Sequence, residues 1–156
     1  MARSKKNRPS VQSPAPGSEL AHLHLLFLRA DYLRQIWSEA AKDARKTDSP
    51  DPLSLEGGYG VPIWASVTLF LASLHTVVEG WRRLRLSNPQ VDLVLSDTQK
   101  ADRLRALRDG VFHYGAIDNP SVMGVVGDRE MLAWAAKLLS AFRTFMKDRP
   151  KEPRAA

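Results

Sequence analysis

The chain has 156 residues, four tryptophans, five phenylalanines and no cysteine, which excludes disulfides and thiolate chemistry and suits one domain with a substantial core. Its net charge of +6 points toward nucleic acid, but the charge is local. Residues 1–18 carry Arg3, Lys5, Lys6 and Arg8 without an acid, the last ten residues add +2, and residues 19–146 are neutral overall.

Residues 1–18 read as a disordered basic tail, residues 19–148 as a helical bundle and residues 149–156 as a second disordered tail. Such tails supply weak, salt-sensitive affinity for phosphate at most. No apolar run approaches the roughly 20 residues of a membrane span, and the basic N-terminus lacks the apolar stretch of a secretory signal. The expectation is a cytoplasmic protein without a membrane partner.

Helical periodicity begins near Ser18 and runs to about Lys46, with Leu23, Leu26, Ala30, Leu33, Trp37, Ala40 and Ala44 in one stripe. Ser49-Pro50-Asp51-Pro52 stops it, and Gly57-Gly58-Tyr59-Gly60 continues a loop. That glycine loop has neither a Walker lysine nor a preceding strand, so it reads as a connection. Pro62 suits the first turn of a second helix carrying Ile63, Val67, Phe70, Leu74, Val77, Trp81 and Leu84 on one face. Asn88-Pro89 opens a short helix to about Leu95, and Ser96 with Gln99 reads as a capping box for the next. That helix carries Leu104, Leu107, Val111 and Tyr114 and ends near Gly115. A loop is expected through Asn119-Pro120 to Gly127. Asp128 then caps a last helix with Leu132, Ala135, Leu139, Phe142 and Met146, and Pro150 ends it. With no alternating stretch, the pattern predicts an all-α fold: an antiparallel four-helix bundle with an additional short helix.

Chemistry concentrates at one place. Arg108 is a permanent cation whose planar donors fit phosphate oxygens, and His113 is the side chain best suited to proton transfer near neutral pH. Five residues apart on a helix, the two lie about 140° around the axis from each other, so one copy presents them poorly to a single phosphate. Two copies across a two-fold axis would line one cleft with both pairs. Asp109 and His113 are four apart and share a face. Gly110 costs about 1 kcal/mol relative to alanine in a helix interior, which a close backbone approach would explain. On the second helix, His75 and Glu79 read as a polar pair; the sharper reading turns Glu79 toward the arginine. His22 and His24 point to different faces, and no metal-ligand spacing occurs, so neither metal nor cofactor is expected.

The segment Leu104-Arg105-Ala106-Leu107-Arg108-Asp109-Gly110-Val111-Phe112-His113-Tyr114 resembles the signature of the HEPN superfamily: an arginine, a polar residue, three further residues and a histidine near a helix end. Leu74-His75-Thr76-Val77-Val78-Glu79-Gly80-Trp81 is similar to the preceding helix in stand-alone bacterial members. The resemblance implies a homodimeric, metal-independent endoribonuclease of toxin–antitoxin or phage-defence type, cleaving RNA by attack of the 2′-hydroxyl. Arg108 and His113 would be catalytic, with Asp109, Glu79 and Tyr114 in support. Aspartate stands at 109 where asparagine is commoner in the family. An antitoxin or nucleotidyltransferase is the implied partner. The alternative is an inactive module of the same fold that binds a partner protein or nucleotide.

Overall fold

The computed structural model describes residues 16–46, 60–112 and 120–148, and no strand occurs among them. Six helices follow in order: α1 (Pro16–Lys46), α2 (Gly60–Arg83), α3 (Pro89–Leu95), α4 (Thr98–Phe112), α5 (Pro120–Gly127) and α6 (Arg129–Asp148). The fold is all-α: four long helices are accompanied by two short ones, α3 packed on α6 and α5 on α4, α2 and α6. Residues 16–18, expected as the end of the first tail, instead begin α1; residues 1–15 and 149–156, the 49–52 stop, Gly57 to Tyr59 and Gly115 lie outside the described residues.

α1 and α2 are antiparallel neighbours. Glu19 near the start of α1 pairs with Arg83 at the end of α2 (3.1 Å), while Trp37 stacks on Phe70 with ring centroids 6.1 Å apart. Between these contacts Leu23 presses on Gly80: a Cβ there would meet Leu23 Cδ1 at 2.8 Å, so the missing side chain lets α1 close on α2.

α2 is the centre of the molecule, packed against α1, α4, α5 and α6. Six of its seven stripe residues are buried and Leu84 is partly so, but Leu71, Ala72, Ser73, His75 and Val78 on other faces are buried too. A single-stripe reading understates this helix because partners cover it from several sides. Contrary to the expectation that no apolar run approaches a membrane span, α2 is by length and composition apolar enough to cross one; most of that stretch is buried within the bundle. Its buried Ser66 hydroxyl is satisfied locally, donating to the Pro62 carbonyl at 2.6 Å. The helix closes with Leu86 N–H on the Trp81 carbonyl and Arg85 N–H on that of Arg82, with Arg85 in the left-handed region at φ 51°. This is a Schellman closure with arginine where glycine is usual.

α3 forms as the sequence predicts: the Asn88 side chain accepts from the amides of Gln90 and Val91 ahead of Pro89. The cap of α4 differs by one residue from the expected box. Asp97 Oδ1 accepts from Lys100 N–H at 3.1 Å, while Ser96 closes α3 and donates to the Leu93 carbonyl. An aspartate adjoining the serine offers a charged acceptor to the same orphan amides, and it takes the position. A second correction concerns 120–127, expected as a loop and helical here as α5. Proline at the first turn favours that start, and Val125 and Val126 bury against the core.

Asp128 caps α6 through the amides of Glu130 and Met131, and Arg103 of α4 reaches the same carboxylate at 2.8 Å. Trp134 Nε1 donates to the Val94 carbonyl and pins α6 to α3. The buried face of α6 is broader than the predicted stripe, adding Met131, Trp134, Leu138 and Ala141, while Leu132 and Met146 are only partly covered. Trp81 meets Phe142 and Phe145 edge-on, closing α2 on α6. On the outer face of α1, Leu25, Leu28 and Tyr32 remain exposed.

Candidate functional site

Leu104, Leu107 and Gly110 are buried and fix α4 against α2, which leaves Arg108 on the flank of the contact. Burial of Gly110 fits a tight packing position, and Val111 is partly covered. Three nitrogens of the Arg108 guanidinium are engaged. Nε donates to His75 Nδ1 at 3.3 Å, Nη2 donates to Glu79 Oε1, and Nη1 lies 2.9 Å from Asp109 Oδ1. Two of these partners come from α2 and one from α4 itself. The arginine side chain is 23 % exposed and Glu79 50 %.

Glu79 therefore meets Arg108, as the sharper sequence reading has it, and the arrangement follows from two registers. Residues 75 and 79 share a face of α2, so both reach one residue of a helix packed alongside. Asp109 is shared in turn with Arg105, whose Nε lies 4.0 Å from it.

His75 is the residue that the sequence left undervalued. Instead of lying on a solvated face it is 3 % exposed. Burial pushes its pKa below the ordinary 6.5 and the Arg108 cation adds to that, against the opposing pull of Glu79 and Asp109. Geometry agrees with a neutral ring. An arginine can only donate, so Nδ1 must present its lone pair and the proton sits on Nε2. The 3.6 Å separation between Nδ1 and Glu79 Oε2 is accordingly no charge pair in this state. The signal was there in principle: a histidine directly after Leu74 and before Val77 on the most apolar helix. Its partner, 33 residues away, is invisible to local periodicity.

Of the other candidates, His113 and Tyr114 follow α4 in sequence and lie outside the described residues, as does Tyr59. Phe112, four residues beyond Arg108 on the same helix, is 51 % exposed. Arg83, one turn beyond Glu79 on α2, is committed to Glu19 of α1, and Arg82 is exposed. His22 and His24 are both exposed; His22 lines a groove between α1 and α2 with Glu19 and Arg83, and His24 sits beside Phe27.

The arrangement can orient a cation. A guanidinium has five N–H donors, and the contacts with His75, Glu79 and Asp109 engage three. The rest have no acceptor among the described residues, and the group retains access to solvent. No known protein family, curated protein or solved structure matches the chain.

Proposed function

We propose that the protein is a metal-independent endoribonuclease of the HEPN type, acting as a homodimer in which two copies share one cleft. The observation that supports this reading is the held guanidinium: Arg108 is fixed from two helices while keeping donors for a ligand. An anion-stabilising group must be oriented before charge develops if it is to act on the transition state rather than on the ground state. Its position in the chain, five residues before His113, is the resembled motif.

In the proposed reaction the 2′-oxygen attacks the adjacent phosphorus as the bond to the 5′-oxygen breaks. His113 takes the 2′-hydroxyl proton or supplies one to the leaving oxygen, and Arg108 stabilises the charge on the equatorial oxygens. The products are a 2′,3′-cyclic phosphate, or the 3′-phosphate from its hydrolysis, and a 5′-hydroxyl. The cellular setting proposed is a cytoplasmic toxin–antitoxin or phage-defence system with an antitoxin or nucleotidyltransferase as partner.

A specific observation favours a second reading. Two carboxylates, Glu79 and Asp109, already neutralise Arg108, which weakens its pull on a phosphate and suits an inactive module that binds a partner protein or nucleotide. Incubation of purified protein with labelled RNA in EDTA separates the two. Cleavage that disappears in His113→Ala supports the nuclease, whereas intact RNA across varied substrates supports the binding module. Sedimentation gives the oligomeric state, and a strict monomer is incompatible with a shared cleft.

A further inference from the structure

His75 has no place in the motif, yet it occupies the most costly position of the site. A buried imidazole is destabilising unless its polar atoms are partnered, and leucine or phenylalanine would fill the same space between α2 and α4. The partner of Nδ1 is the Nε of an arginine from another helix. Glu79 and Asp109 hold the two terminal nitrogens of Arg108. Both carboxylates are themselves half-exposed, at 50 % and 43 %, so they tether the group without fixing its plane. The third contact, on Nε and from a buried ring, removes that freedom.

We propose that His75 is a positioning residue for Arg108: its unprotonated Nδ1 accepts from Nε and sets the plane in which the guanidinium presents its remaining donors. The functional consequence rests on the nuclease reading; the geometry does not. The role belongs to the neutral ring alone. A protonated imidazole donates from both nitrogens and accepts from neither, so it would face the arginine with a hydrogen and a like charge. Glu79 Oε2, 3.6 Å from Nδ1, stands ready to take that new donor. Protonation would therefore remove one contact of Arg108 and draw on the carboxylate that makes another. The charged groups facing His75 are Glu79 and Arg82 on α2 and Arg108 and Asp109 on α4, with none from α1, α5 or α6 among the described residues. The site thereby carries an acid-sensitive grip on its cation, separate from any titration of His113.

Nitrogen-15 NMR of the imidazole and guanidinium groups tests this without requiring catalysis. At neutral pH the wild type is expected to show His75 with its proton on Nε2 and an Arg108 Nε–H slow to exchange. His75→Asn, whose side-chain oxygen can stand where Nδ1 stood, should keep that slow exchange. His75→Phe should lose it. Acidification through the titration of His75 should abolish the protection, taken relative to the intrinsic exchange rate at each pH, in the wild type and leave it intact in His75→Asn. If RNA is cleaved, kcat should fall at least tenfold in His75→Phe with KM little changed, and recover in His75→Asn. A proton found on Nδ1 at neutral pH, or an Arg108 Nε–H that His75→Phe leaves unaltered, overturns the proposal. Should His75→Phe fail to fold, the wild-type tautomer and the acid titration of His75→Asn decide alone. Absence of RNA cleavage in every form would defeat the nuclease reading while these signals still judged the positioning role.

Discussion

Glu79 and Arg108 form the contact on which the candidate site turns, and charge, distance and exposure set its strength. Two unit charges about 4 Å apart attract by about 1 kcal/mol in bulk water and about 4 kcal/mol at the effective dielectric near a protein surface. The arginine side chain is 23 % exposed and the glutamate 50 %, so solvent screens the pair in part and ordering the glutamate costs entropy. A coupling of about 1–1.5 kcal/mol is expected, somewhat above that of fully exposed pairs. Urea unfolding of the wild type, Glu79→Gln, Arg108→Met and the double variant isolates this value as a double-mutant cycle. The methionine keeps most of the apolar stem, so the cycle reports the charged head. Coupling below about 0.3 kcal/mol, the level at which independent sites are additive, would mean that Glu79 does not hold the arginine. The account of an oriented cation would then be wrong.

Other consequences concern the frame and its response to pH. Leu104 is fully buried on the face of α4 that meets the core, so Leu104→Ala should cost about 3 kcal/mol, measured by urea unfolding. Arg85 adopts φ 51° in the closing turn of α2 with its side chain exposed; Arg85→Gly should therefore raise stability by about 1 kcal/mol, and a loss instead would show that the arginine side chain contributes there. Because burial lowers the His75 pKa in the folded state, the unfolded chain binds the proton more readily. Its contribution to stability is complete above the unfolded value of 6.5 and is lost as pH falls through the folded pKa. Melting temperatures at pH 7.5 and 5.5 should differ less in His75→Asn than in the wild type; equal differences would contradict a buried neutral ring.

Much of this architecture was legible because its signals are local. Asn88-Pro89 announced α3, Asp128 announced α6, and the stripe from Ile63 to Trp81 named the buried face of the central helix. The failures have physical causes. Ser96 and Asp97 both offer capping oxygens, and which one turns toward the amides of α4 depends on how α3 ends. Asn119-Pro120 has the same cap-and-proline form as Asn88-Pro89, yet the stretch that follows holds Gly124 and Gly127, both weak helix formers, and is expected as a loop. There the burial of Val125 and Val126 outweighs glycine's low helix propensity. At the site, the spacing of His75 and Glu79 placed them on one face without saying which face. Only the packing of α4 against α2 reveals that Arg108 is the group they share.

If Arg108 and His113 cleave RNA by attack of the 2′-hydroxyl, as proposed, the ends of the products record it. RNA treated with the protein in EDTA should carry 2′,3′-cyclic phosphate or 3′-phosphate and 5′-hydroxyl ends, and a single 2′-deoxy substitution at the cleaved nucleotide should block the cut. Arg108→Ala and His113→Ala should each abolish the products. Uncut RNA, 5′-phosphate ends, or cleavage that survives either substitution would contradict the account.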